Sequence, residues 1–420
     1  MRDARFAPRL IAATTTALAA AVLASGIAIA AGGSGRMQRV PPPTPVPPFG
    51  SPSPYPTALD TPPPSTRPPR LDVAAAALVD LDSGQVLYVR NGRTKRPVAS
   101  LTKIMTALLV LEATDPGERV ATGGAAVTQE GAELGLRRGE VQPVRRLMYA
   151  LLLQSANDVA VALAEHVAGD VPRFVQGMNR RARALGARRT RFASPNGLND
   201  SGYSTALDLA LITREAFGKP VFAKVVRTRF QKIPAPRGDP RRIQSRNALL
   251  WLYRGAIGVK TGYTAAAGFC IVAAAERDDL RLVAVALGSP DEAYSDGAAL
   301  LNYGFEAFER GSAITPGERV GSVIVEGQTV DVETRASIEA LVPTEAILEP
   351  EIRPAAGLSL PIEAGDRVGA VVVRGEDGRT YGRVAGFAIS DVRRPPPAPW
   401  PERTLERMRD LILDLFDSFL

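Results

Sequence analysis

The sequence predicts an α/β protein of the α+β kind, with a small all-β domain after the main one. Three observations predict it. Helical apolar spacing fills the stretches that begin at Leu101, Val144 and Val171. Three consecutive apolar runs bounded by Gly and Asp, IGVKTGYT, GFCIVAAAE and LRLVAVALG, have the signature of strands. After Ser312 the chain turns to short β-type runs separated by Gly-rich turns.

The 420 residues are 45% hydrophobic and 23% charged, which places the chain among globular proteins. Arg2, Arg5 and Arg9 precede an uncharged stretch from Leu10 to Gly35, with Ala28 and Ala30 in an A-x-A cleavage pattern. A secretory signal peptide fits, and the stretch is also long enough for an uncleaved membrane anchor. Either one predicts export. Pro41 to Pro69 is a proline-rich, extended spacer suited to holding a module away from a membrane. VAAAALVDLDSGQVLYVRN then reads as a hairpin around Asp82-Ser83-Gly84. Helical spacing on both sides of Gln154-Ser155-Ala156-Asn157 predicts two helices with a polar junction, or one helix interrupted there. An amphipathic helix is expected over Val171–Leu185, and a helix over Asp296–Arg310 closes the domain.

GERVGSVIV (Gly317–Val325) recurs nearly unchanged as GDRVGAVVV (Gly365–Val373), so the β domain has internal similarity. In the tail, Leu405, Met408, Leu411, Ile412, Leu415, Phe416 and Phe419 share one helical face. That face suits a membrane surface or a packing partner. The expected divisions are 1–31 (signal peptide or anchor), 32–70 (linker), 71–311 (main domain), 312–392 (β domain) and 393–420 (linker and amphipathic helix).

The net charge of +7 is carried almost wholly by arginine, and no basic cluster interleaved with aromatics suggests nucleic-acid binding. A lone cysteine, Cys270, excludes an intramolecular disulfide and a cysteine metal site. It reads as a buried free thiol. The lone histidine, His166, lies in a helical pattern and reads as an ordinary helix residue.

Ser100 and Lys103 stand three apart at a helix start. Serine there suits a helix cap, yet the same spacing puts both side chains on one face, where a neutral lysine amine could take the serine proton. Apolar neighbours and the helix N-terminus both disfavour the charged amine. Ser155-Ala156-Asn157 follows 55 residues after Ser100, and Lys260-Thr261-Gly262 follows 103 residues after Asn157, inside an expected strand. Each triplet alone has a bland structural reading. Helix, helix junction and strand in that order favour a nucleophilic site.

SLTK, SAN and KTG resemble the three motifs of the serine penicillin-recognising enzymes. ASLTKIMTALLVLE, FASPNGLND followed by GYSTALDLALI, SRNALLW, and GVKTGYTAAAGFCIVAAAE with LVAVALG are similar to one branch, the low-molecular-mass D-alanyl-D-alanine carboxypeptidases. The resemblance covers about Leu71 to Arg310. It implies a penicillin-binding-protein/β-lactamase-like catalytic domain, an antiparallel sheet with a helical cluster, whose motifs line the cleft between them. It further implies that Ser100 attacks the bond between the terminal D-alanines of a peptidoglycan stem peptide. Lys103 would act as its base, Ser155 as proton relay, and Asn157 as the holder of Lys103 and the substrate amide. Lys260 and Thr261 would bind the terminal carboxylate, with Gly262 allowing close approach and the Ser100 and Tyr263 N–H groups forming the oxyanion hole. β-Lactams would be inhibitors, and no metal or cofactor would be needed.

Two departures stand out. SPDEAYSDGAALLNYGF offers no arginine where many members carry one shortly before the last helix, and Ala293 stands in its place. Carboxylate recognition would then lean on Lys260, Thr261 and Arg246. The middle residue of SAN is alanine where glycine is commoner. Three alternatives remain at this point: a class A β-lactamase, for which no Glu-x-x-x-Asn follows the second motif; a D,D-endopeptidase on cross-links; and a non-catalytic wall-binding scaffold.

Overall fold

The computed structural model describes residue 59 and residues 65–417, apart from 313, 345, 377 and 397–399. The expected signal or anchor segment, most of the proline-rich spacer and Phe419 lie outside the described residues.

The hairpin expected at Asp82-Ser83-Gly84 is formed by β1 (Ala75–Asp80) and β2 (Val86–Arg90). A 3-10 turn, Ala99–Thr102, leads into α1 (Lys103–Ala113). Two short strands, β3 (Arg119–Ala121) and β4 (Val141–Pro143), pair before α2 (Val144–Tyr149). The ambiguous junction resolves into two helices. A π-helical turn, Ala150–Gln154, ends at Ser155 in the left-handed region (φ 66°), and α3 (Asn157–Ala168) starts beyond it. Asp170 accepts the Arg173 N–H at 2.7 Å and so caps α4 (Val171–Ala184), one residue shorter than expected. Thr205 caps α5 (Ala206–Phe217) in the same way. Then come α6 (Pro220–Val226), the hairpin β5 (Phe230–Ile233) and β6 (Arg241–Gln244), and the single turn α7 (Leu249–Leu252).

The three predicted consecutive strands are β7 (Ala256–Thr264), β8 (Gly268–Arg277) and β9 (Leu280–Ser289). With the first hairpin they make a five-stranded antiparallel sheet in the order β2-β1-β9-β8-β7. Alternation along the inner strands explains why they read as continuous apolar runs. Ala75, Ala77, Val79, Val283, Val285 and Leu287 join the core under the helical cluster. Their neighbours Ala76, Leu78, Leu282, Ala284 and Ala286 join a second core, shared with α8 (Tyr294–Ala307). The sheet is therefore covered on both faces. α8 starts two residues before and ends three residues before its expected bounds, because the chain extends at Phe308, which is buried, into β10 (Phe308–Ser312).

Beyond it the region is all β. It comprises β11 (Arg319–Val325), β12 (Gln328–Thr334), β13 (Glu339–Pro343), β14 (Leu348–Pro354), β15 (Arg367–Gly375) and β16 (Thr380–Ala388). β10 pairs with β13, and the others form a sheet in the order β11-β12-β16-β15-β14. The sequence repeat has a structural counterpart. Hairpins β11–β12 and β15–β16 carry register shifts at equivalent places, Arg319/Gly321 and Arg367/Gly369. Gly317 donates to Thr334 O and Gly365 to Ala388 O, each at 2.8 Å, and the two hairpins join through β12 and β16. The tail is a single helix, α9 (Trp400–Asp417), on which Leu405, Met408, Leu411, Ile412 and Leu415 are each more than half exposed. Among the described residues no helix is long and apolar enough to cross a membrane.

Candidate active site

Ser100 lies in the 3-10 turn, and Lys103 is the first residue of α1. Thr102, directly before α1, makes no side-chain capping hydrogen bond, and the Ser100 hydroxyl faces Lys103. The Lys103 side chain has no solvent exposure, a costly place for an ammonium group. Its Nζ is 2.9 Å from Ser100 Oγ, 2.8 Å from Asn157 Oδ1 and 2.7 Å from the Asn196 carbonyl oxygen. Burial above all, then the charges of Lys260 and Arg246, hold its pKa well below the ordinary lysine value, against an opposing pull from Asp158. In the neutral amine the two N–H groups go to the two carbonyl oxygens, which can only accept. The lone pair is left for the Ser100 hydroxyl. Such an arrangement is chemically able to take a proton from a serine hydroxyl.

The partners of Lys103 are themselves fixed. Asn157 opens α3 immediately after Ser155 and Ala156, and its Nδ2 donates to Glu130 O at 2.7 Å, which turns Oδ1 toward Lys103. Its N–H donates to Ala132 O at 2.6 Å. Asp158 is buried and accepts the N–H groups of Leu134 and Leu136 at 3.0 and 2.9 Å, so one carboxylate ties down the loop that holds Asn157. Ser155 is buried between the π-helical turn and α3.

β7 delivers the third motif. Lys260 is buried, with Nζ 2.6 Å from Thr261 O, and its pKa is lowered to about 7 by burial first and the Arg246 charge second. A Cβ placed on Gly262 would stand 2.9 Å from Ser100 N and 3.2 Å from Ala99 Cβ. Glycine is therefore what lets the edge strand lie against the turn that carries Ser100. The Tyr263 ring packs beside Phe269 on β8 at 4.5 Å between centroids. Arg246 lies between β6 and α7, where its charge is felt by both lysines.

Of the predicted residues, Ser100, Lys103 and Asn157 meet through hydrogen bonds. Gly262 lies against them, and Lys260 and Arg246 are within electrostatic reach. Ala293 is buried directly before α8. Cys270 is buried opposite Gly262 on β8, and burial pushes its thiol up to about 11. His166 is 2.8 Å from Glu118, away from Lys103 and its partners. The role of the 192–200 loop was not read from the sequence. Asn196 supplies the second acceptor for the Lys103 amine, and a Cβ at Gly197 (φ 82°) would fall 1.9 Å from Ala99 O. The motif FASPNGLND was the available signal, but a main-chain acceptor leaves no mark in side-chain identity.

Comparison with known proteins gives the family of the chain. The family described as D-alanyl-D-alanine carboxypeptidase matches residues 63–291. The chain is 30% identical to the D-alanyl-D-alanine carboxypeptidase DacF of Bacillus subtilis over 337 residues, 77% of this chain and 86% of that one. It is 32% identical to DacD of Escherichia coli, covering 74% of this chain and 85% of that one. Among solved structures, DacD of Francisella tularensis superposes with a TM-score of 0.69 at 25% identity, covering 79% of this chain and 96% of that one. Penicillin binding protein 5 of Haemophilus influenzae does so with 0.62 at 27%, covering 78% and 99%. The chain belongs to the D-alanyl-D-alanine carboxypeptidase family, and its fold is that of the penicillin-binding D,D-peptidases.

Proposed function

We propose that the protein removes the terminal D-alanine of peptidoglycan stem pentapeptides through a serine acyl-enzyme. The observation that carries this reading is Lys103, fully buried, held by two carbonyl oxygens and facing Ser100 Oγ at 2.9 Å.

Ser100 Oγ attacks the carbonyl of the penultimate D-alanine while Lys103 takes its proton. The oxyanion is bound by the N–H groups of Ser100 and Tyr263, each such donor being worth about 3–4 kcal/mol in related chemistry. Collapse breaks the C–N bond. The proton reaches the leaving amine through Ser155, and D-alanine departs. Water, deprotonated by Lys103, then hydrolyses the Ser100 ester. Asn157 holds Lys103 and the substrate amide. Lys260, Thr261 and Arg246 hold the terminal carboxylate, whose charge returns Lys260 to its ammonium form. A β-lactam carrying an equivalent carboxylate would acylate Ser100 and act as an inhibitor.

The Arg-flanked apolar N-terminal stretch supports export, with 71–311 as catalytic domain, 312–392 as β domain and the site on the extracytoplasmic face. The exposed apolar face of α9 supports contact with the membrane surface. The test is D-alanine release from a pentapeptide. Wild type should release it and Ser100→Ala should not. Equal release by both would remove the reading.

A further inference from the structure

The backbone of Arg246 is held at both ends. Its N–H donates to Leu153 O at 3.0 Å, in the turn just before Ser155, and its carbonyl accepts the Tyr294 hydroxyl at 2.6 Å. Tyr294 opens α8 one residue after Ala293, and that helix start is organised by a single carboxylate. Glu292 accepts the Tyr294 N–H at 2.6 Å, and also the Ser295 N–H at 3.1 Å and Oγ at 2.6 Å. Ser289 Oγ in turn donates to Glu292 O at 2.5 Å. Burial, reinforced by the Glu292 charge, pushes the Tyr294 phenol up to about 12, so it remains a protonated donor across the working range. The peptide it holds is short, because β6 ends at Gln244 and α7 begins at Leu249.

We propose that Tyr294 is a positioning residue for recognition of the substrate's terminal carboxylate, acting by fixing the main chain from which the Arg246 guanidinium is presented. This rests on the carboxypeptidase reading above. It also gives the segment around Ala293 a part in that recognition: the residue after the alanine acts on the carboxylate indirectly, through Arg246. Without the phenol hydroxyl the Arg246 carbonyl loses the donor that Tyr294 supplies, while the Arg246 N–H keeps its bond to Leu153 O.

The test is Tyr294→Phe, which keeps the ring and deletes only the hydroxyl. With a D-Ala-D-Ala pentapeptide, KM should rise about five- to tenfold, up to the worth of one net hydrogen bond, with kcat within twofold and a melting temperature lowered by only a few degrees. In an Arg246→Ala background the same change should add nothing, whereas a general structural role would lower activity in both backgrounds. Glu292→Gln, which weakens the seat of Tyr294, should move KM the same way by a smaller factor. An unchanged KM in both single variants, or a KM rise that persists in the Arg246→Ala background, overturns the proposal. A wild type that releases no D-alanine would instead overturn the underlying reading; a wild type that releases it while the variants behave like it would sink Tyr294 alone.

Discussion

Replacing Gly262 by alanine should separate Ser100, the proposed nucleophile, from β7. The new Cβ would stand 2.9 Å from Ser100 N and 3.3 Å from Leu101 N, against ordinary contacts of 3.4–4 Å. The first of these is short by about half an ångström, and both atoms belong to the main chain, so no side chain can swing aside. β7 is an edge strand and can yield outward, taking Thr261 and Tyr263 with it. A displacement of that order at reacting groups costs roughly 10²-fold, and loss of one oxyanion donor costs a similar or larger factor. The expected outcome is a fall in kcat of about 10² with the fold intact. Steady-state D-alanine release and the rate of Ser100 acylation by benzylpenicillin should decline together, with a circular dichroism melt as the control. Gly124→Ala, whose Cβ would meet nothing within 4 Å, should be silent. A Gly262→Ala enzyme within twofold of wild type would refute the argument that strand and turn must touch.

Further outcomes follow from the same site. The folded pKa of Lys260, about 7, lies below its unfolded value, so between the two the unfolded chain binds the extra proton. Stability should therefore rise with pH from about 7 to about 10, with Lys260 adding at most on the order of 5 kcal/mol, and Lys260→Met should reduce that slope in chemical denaturation, leaving the part that Lys103 contributes. In the free enzyme the same titration should raise KM for carboxylate-bearing substrates above about pH 7 while kcat holds. Asp158→Ala should destabilise by about 2–5 kcal/mol, since it strips the buried N–H groups of Leu134 and Leu136 of their acceptor, and should lower kcat through Asn157. The Cys270 thiol should resist alkylation by N-ethylmaleimide until the protein unfolds, and Cys270→Ser should leave kcat unchanged.

Much of the proposed site is legible in the sequence because the chemistry proposed for it is carried by side chains in short motifs. Ser100 with Lys103, Asn157, and Lys260 through Gly262 need particular residue types, and those types recur at recognisable spacings. The apolar strands were legible too, since β8 and β9 are buried on both faces and leave no polar alternation to obscure them. What escaped was carried by the main chain or by tertiary packing. Asn196 acts through its carbonyl and Gly197 through the absence of a Cβ. The left-handed turn at Ser155 follows a π-helical widening that no propensity marks. Helix α8 ends early because Phe308 finds a buried place in the strand that follows, a contact that local periodicity does not encode. Tyr294 escaped because its hydroxyl serves the main chain of a residue 48 positions away.

The central claim is that Ser100 is a nucleophile activated by a neutral, buried Lys103. Its most direct test is the intact mass of the full chain after brief exposure to benzylpenicillin, for wild type, Ser100→Ala and Lys103→Met. A single acyl adduct on wild type alone is the result predicted here. Wild type that folds yet carries no adduct and hydrolyses no penicillin, or an adduct that persists in Ser100→Ala, would contradict it.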